Sequence, residues 1–167
     1  MDLLYVKDMD GKTAWYYAVY HNNLDVMTML LSKDVSFGYQ IITEDGKAAI
    51  HIAACLGNRK TIGILISRCP GCFELVDSKG RNILHLAVEN KKQEVIEFIF
   101  DNESLTSLIN QKDNDGNTPI HLLMASDIEK VELVMDYRVN INLLNNDKRT
   151  PLDMASSQEK KEKLLKV

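Results

Sequence analysis

Three of the chain's four histidines, His51, His85 and His121, occupy the same place in a recurring pattern, which raises the question of a metal or proton-transfer centre. Their spacing argues against one. Each opens a different apolar segment about one period from the next, whereas a tetrahedral metal needs ligands converging within about 2.1 Å of one point. The repetition predicts structural hydrogen bonding between neighbouring turns, with His21 an isolated surface residue. Cys69-Pro70-Gly71-Cys72 has C-x-x-C spacing. A redox role needs a helix N-terminus or a nearby cation to make a thiolate reactive. Here the motif lies in a Pro-Gly loop with no second C-x-x-C for zinc, so no required redox role is expected, a reversible disulfide being the remaining alternative. Asp113-Asn114-Asp115-Gly116 echoes a calcium loop, but with Gly116 sixth, Gln111 stands first and Leu122 twelfth, where acidic ligands are needed. There is no Gly-rich phosphate loop, H-E-x-x-H or Gly-x-Ser-x-Gly. Asn102-Glu103-Ser104 is a glycosylation sequon that a cytosolic chain would not use. The expectation is a non-enzymatic protein with no cofactor and no metal.

The elements behind these residues repeat. Five segments align, beginning Asp10-Gly11, Asp45-Gly46, Lys79-Gly80, Asp115-Gly116 and Asp147-Lys148, and each runs into a short apolar stretch. The turn centres 11, 46, 80, 116 and 148 are 35, 34, 36 and 32 residues apart. Three positions before each centre stands a residue able to hydrogen-bond its own backbone, namely Asp8, Thr43, Asp77, Asp113 and Asn145. Helix starts follow, with Pro119 and Pro151 at a first-turn position where a missing N–H costs little. Second apolar helices are predicted around Val26–Leu31, Ile62–Ile66, Val95–Phe100 and Val131–Met135. Each is too short to stand alone and must bury its face on its partner and the next unit. The expected units are 8–42, 43–76, 77–112, 113–144 and a truncated 145–167, together one domain over 1–167. In the last, Glu159–Val167 reads as a lysine-rich polar cap with Leu164 and Leu165 as its apolar remnant. At the other end, Leu3-Leu4-Tyr5-Val6 resembles the tail of a preceding hairpin, which would place further units upstream; Trp15-Tyr16-Tyr17 as an aromatic cap would look similar.

Composition agrees with a soluble chain. Hydrophobic residues make up 45% and charged residues 26%, and a net charge of −4 gives no general attraction to nucleic acid or an anionic membrane. No apolar run reaches the roughly 18 to 20 residues of a membrane span, and the N-terminus is no signal peptide. Three cysteines are too few for a disulfide framework and fit a reducing compartment, so the chain is expected in the cytoplasm as a monomer.

The period and segments such as Thr118-Pro119-Ile120-His121 resemble the ankyrin-repeat family, with its T-P-L-H-x-A pattern and Gly turn. The resemblance implies an all-α solenoid of about five helix-turn-helix units. Cys69–Val88, Leu108–Leu122 and the stretch from Val139 to Ala155 look like the linkers and repeats of plant ankyrin-transmembrane proteins of the accelerated-cell-death type. That closer resemblance implies the cytosolic part of a membrane-associated protein of defence or cell-death signalling. The alternative is the cytosolic regulatory domain of a cation channel or transport-like membrane protein, by analogy with ankyrin arrays in transient-receptor-potential channels.

Such arrays bind along the concave face lined by turn tips and first helices. Mapped onto this sequence, the face holds Met9 and Lys12, Glu44 and Lys47, Ser78 and Arg81, Asn114 and Asn117, and Asn146 and Arg149, with Tyr20, Cys55, Leu56 and Glu89 at the first-helix exits. Lys12, Lys47, Arg81 and Arg149 are basic at one register, so the expected partner is a protein or peptide with acidic residues beside an apolar anchor near Tyr20, Cys55 and Leu56. The competing reading is that these cations merely offset Asp10, Asp45 and Asp147 beside them.

Overall fold

The computed structural model of the chain describes residues 5–165, and the side chains there except those of Val131 and residues 163–165. Leu3 and Leu4, and the side chains of Leu164 and Leu165, therefore lie outside the described residues. Tyr5 is stacked on Phe37 with ring centroids 5.1 Å apart.

Each unit begins with a tight turn whose first side chain folds back on its own backbone. Asp77 Oδ1 accepts from the N–H groups of Lys79 and Arg81 at 2.9 and 3.0 Å, and Asp113 Oδ1 accepts from Asp115 and Asn117 at 3.0 and 2.8 Å. Asp8, Thr43 and Asn145 act in the same way. A helix then starts. Thr13 accepts from the Tyr16 N–H, Asn82 accepts from Leu84 and His85, and Pro119 takes the first position of its helix. The result is all-α: α1 Ala14–Tyr20, α2 Leu24–Lys33, α3 Ala49–Leu56, α4 Arg59–Arg68, α5 Ile83–Glu89, α6 Gln93–Phe100, α7 Pro119–Ala125 and α8 Gln158–Leu165, with short 3-10 helices between them. Among the described residues the only β-pairing is an isolated bridge between Ile41 and Ala48. First helices stack α1 on α3 on α5 on α7, second helices stack α2 on α4 on α6, and one apolar core runs from Trp15 and Phe37 through Leu84 to Val134.

Two elements depart from the expected pattern. Val131–Met135 forms a 3-10 helix in place of a second α-helix. The three regular helix-to-helix reversals each pass through one left-handed residue, Asn22, Gly57 or Lys91, with φ of 53°, 83° and 55°. Asp127, at the aligned position, is not left-handed, so the chain leaves α7 extended at Ser126 and no new helix is launched tightly against it. In the last unit the first helix shrinks to a 3-10 turn, Leu152–Met154. The polar C-terminal helix α8 is held by an unexpected contact: Lys160, 6% exposed, donates to the carbonyls of Ser126, Leu123 and Met124 at 2.6, 3.2 and 3.5 Å. A cation there satisfies the orphan carbonyls at the end of α7 and opposes its dipole.

The turn centres test the backbone argument in both directions. Gly116 has φ +75°, and a Cβ would lie 2.5 Å from Asn146 Oδ1 and 2.8 Å from its backbone nitrogen. Gly116→Ala should therefore cost more than the roughly 1–2 kcal/mol of a left-handed alanine. Lys148 already occupies this conformation with φ 63°, so Lys148→Gly should gain about 0.5 kcal/mol, the relieved strain being partly cancelled by glycine's larger unfolded-state entropy. Urea midpoints moving in the same direction for both variants would contradict this.

Candidate functional site

The three buried histidines each bond forward along the chain, His85 and His121 into the next unit and His51 to the loop that closes its own. His51 Nε2 lies 2.9 Å from the Leu75 carbonyl, His85 Nε2 2.9 Å from that of Asn117, and His121 Nε2 3.1 Å from that of Arg149. Nδ1 of His51 and of His121 accepts from the N-cap N–H of its own helix, from Ala48 and Thr118 respectively, at 3.0 Å. In these two the proton therefore sits on Nε2, which donates to the Leu75 and Arg149 carbonyls. In the last unit Asp153 performs the inner half of this task, accepting from the Thr150 N–H and hydroxyl at 2.8 Å. Among the described residues no group of three His, Cys, Asp or Glu side chains converges on a point.

Burial lowers the pKa of all three histidines below the ordinary 6.5. The unfolded chain then binds more protons, so stability should be highest above pH 6.5 and fall as the pH drops through 6.5 towards the depressed native values. Urea midpoints from pH 8 to pH 5 should show that loss. A midpoint flat across this window would contradict neutral, buried imidazoles.

Cys69 and Cys72 are fully buried and unpaired. Desolvation raises both thiols, Cys72 to about 12, which keeps them protonated. Their replacement by serine, which the loop reading would take as silent, should instead cost stability because it buries hydroxyls in an apolar setting.

The turn tips from the second unit to the fifth form a clasped edge. Backbone N–H groups of Ser78, Asn114 and Asn146 donate to the carbonyls of Asp45, Lys79 and Asp115 at 3.1, 2.9 and 3.0 Å. Asn114 and Asn146 add side-chain bonds to the Ser78 and Asn114 carbonyls at 3.1 and 3.0 Å. Met9, Glu44, Ser78, Asn114, Asn146 and Arg149 are exposed along this edge, with Lys12, Lys47 and Asn117 half-buried beside them. Tyr20, Leu56 and Glu89 are exposed at the first-helix exits, and Cys55 is half-buried there, its thiol pKa raised by burial.

The four basic positions are not equivalent. Arg81 is 9% exposed, and its guanidinium donates to Asp77 Oδ2 at 2.9 and 2.6 Å and to Glu89 Oε2 at 2.5 Å. Lys47 is paired with Asp45. Lys12 and Arg149 have no ion-pair partner among the described residues; the Lys12 ammonium sits 4.3 Å over the Tyr16 ring. Offsetting by neighbouring carboxylates, the competing sequence reading, thus describes Lys47 and Arg81, although for Arg81 the partners are Asp77 and Glu89. Charge reversal at Arg81 would break a buried pair and report on folding before docking.

Sequence reasoning missed the aromatic face of α1. Tyr16 stacks on Tyr20 at 5.8 Å and Tyr17 on His21 at 6.2 Å, and the two pairs meet edge to face at 5.5 and 5.4 Å. The available signal was the i, i+4 spacing of four rings, two pairs on one helical surface.

Comparison with known proteins follows the same segments. The family described as "Ankyrin repeats (3 copies)" matches residues 37–107, and that described as "Ankyrin repeat" matches residues 10–37. Together they span more than half of the chain. An ankyrin repeat protein of Fowlpox virus (strain NVSL) is 24% identical over 155 residues, covering 89% of this chain and 45% of the relative. Rabankyrin-5 of Mus musculus is 29% identical over 125 residues, 74% of this chain and 10% of its own. The transient receptor potential cation channel subfamily A member 1 of Drosophila melanogaster is 31% identical over 121 residues, 69% of this chain and 10% of its own. The chain thus spans less than half the length of each of these relatives.

Proposed function

This chain belongs to the ankyrin-repeat family, and from that premise we propose that it is a non-catalytic scaffold whose concave face binds an extended segment of a partner protein. The observation that carries this reading is the clasped edge of turn tips. A surface whose units are tied to each other by fixed hydrogen bonds loses little conformational entropy when a ligand is laid along it. The binding strip runs from Met9, Lys12 and Tyr20 through Glu44, Lys47, Cys55 and Leu56 to Ser78, Arg81 and Glu89, then to Asn114, Asn117, Asn146 and Arg149. Asn114 and Asn146 serve chiefly to hold the strip, and Arg81 acts through its pair. An acidic residue of the partner would be drawn to Lys12 or Arg149, and an apolar one would settle near Tyr20, Cys55 and Leu56.

Residues 1–167 act as one monomeric array on this reading, working in the cytoplasm. Among the described residues no helix is long and apolar enough to cross a membrane. The linker likeness to plant ankyrin-transmembrane proteins supports a place on the cytosolic side of a membrane-anchored signalling protein; the relatives above are viral and animal. A second reading, a regulatory domain of a cation channel, is favoured by the 31% identity with the Drosophila channel.

Selection of a displayed random-peptide library against the protein provides a ligand. Lys12→Glu and Leu56→Asp should each weaken it by tenfold or more in calorimetry, while Lys60→Glu, outside the strip, should leave it unchanged. Equal losses at all three positions would overturn the groove.

A further inference from the structure

The exposed rings of α1 are arranged for more than packing. Tyr17 and Tyr20 are 41% and 49% exposed, yet both are fixed, Tyr20 by stacking on Tyr16 and Tyr17 by stacking on His21 and by donating its hydroxyl to Asp8 at 2.7 Å. The parallel pairing encloses no space between rings, which excludes a cage around an ammonium group. It leaves outward π-faces that carry negative potential. Charges nearby reinforce the sign. Asp8 and Asp10 both act on Tyr17, holding its hydroxyl pKa up, and further along the same wall Glu89 is exposed, with Oε2 on Arg81. Lys12, whose ammonium lies on Tyr16, shows that such a face accepts positive charge.

We propose that the α1 ring face is an arginine-recognition surface, taking a guanidinium of the partner segment flat against Tyr17, with Asp8 and Asp10 beside it and the near-perpendicular Tyr20 ring at its flank. The proposal rests on the groove reading above and names the anchor that the groove holds. Guanidinium is favoured over ammonium because it is planar, weakly hydrated and able to stack while its edge donors still reach carboxylates. The groove then has two tracks, cations at the turn tips and rings with carboxylates on the helix wall. An extended strand, whose side chains alternate, can meet both with acidic and arginine residues in turn.

The test uses the whole chain and three twelve-residue Gly-Ser peptides carrying two arginines, two lysines or two citrullines, titrated into 15N-labelled protein. The arginine peptide should shift the amides of residues 16–21 saturably and bind at least tenfold tighter than the citrulline peptide and several-fold tighter than the lysine peptide. Tyr17→Leu with Tyr20→Leu should abolish that preference, and Tyr17→Phe with Tyr20→Phe should keep it; unchanged thermal midpoints would show that both variants remain folded. Lysine binding as tight as arginine, or a preference that survives the leucine pair, would overturn the proposal. If the arginine peptide fails while library-selected ligands still require Lys12 and Leu56, the anchor is wrong and the scaffold stands.

Discussion

Leu84→Ala should lower unfolding free energy by about 2–5 kcal/mol, the range for truncating a large buried aliphatic side chain. Leu84 is completely buried in α5, which packs on α3, α6 and α7, so the cavity falls at the centre of the stack. In a linear array a loss at one unit weakens both of its interfaces, so the cost cannot be isolated at one end. Tyr137→Ala, at a residue 86% exposed, should change stability by no more than about 0.5 kcal/mol. Urea unfolding of both variants with unchanged slopes checks this; equal midpoint shifts would mean that α5 is not the core element described.

Asp77→Ala should be comparably severe, about 3–5 kcal/mol, because it leaves the Arg81 guanidinium without its buried partner and takes the acceptor from two turn N–H groups. Asp77 is 5% exposed. Burial by itself would raise its pKa, but hydrogen bonds from Arg81 outweigh this and hold the carboxyl below 3.8. Its stabilisation is present above the unfolded value and is lost only as the pH falls below about 3.8, well separated from the histidine window. The exposed pair Lys91–Asp127, with side chains 60% and 73% accessible, is the comparison. Asp127→Ala should shift the urea midpoint far less than Asp77→Ala, because an exposed pair is screened by solvent. Equal losses at Asp77 and Asp127 would contradict a buried electrostatic clamp at the central turn.

The turns, the helix starts and the structural role of the histidines were legible because each depends on residue type at a fixed period. Asp77 and Asp113 read as turn acceptors, and that is what they do. The failures have two causes, for Lys160 a contact far away in sequence and for the others local geometry that residue type alone does not fix. Lys160 reads as solvated, yet it is buried against carbonyls 34 to 37 residues earlier. Arg81 reads as a groove cation, but its length lets it turn back onto Asp77 and across to Glu89. Val131–Met135 has the composition of a second helix, and what it lacks is the left-handed reversal before it. On the candidate strip, the basic register was visible in sequence, while the pairing that silences Lys47 and Arg81 was not. The rings of α1 were visible as letters, but their mutual stacking was not.

The claim on which the functional account stands is that a partner lies along the concave strip. Mapping amide shifts of the 15N-labelled chain with a library-selected peptide tests it most directly. The account predicts shifts concentrated in the turns at 8–12, 43–47 and 77–81 and at the exits of α1 and α3 around Tyr20, Cys55 and Leu56, with α2, α4 and α6 silent. Shifts centred on those second helices would contradict it.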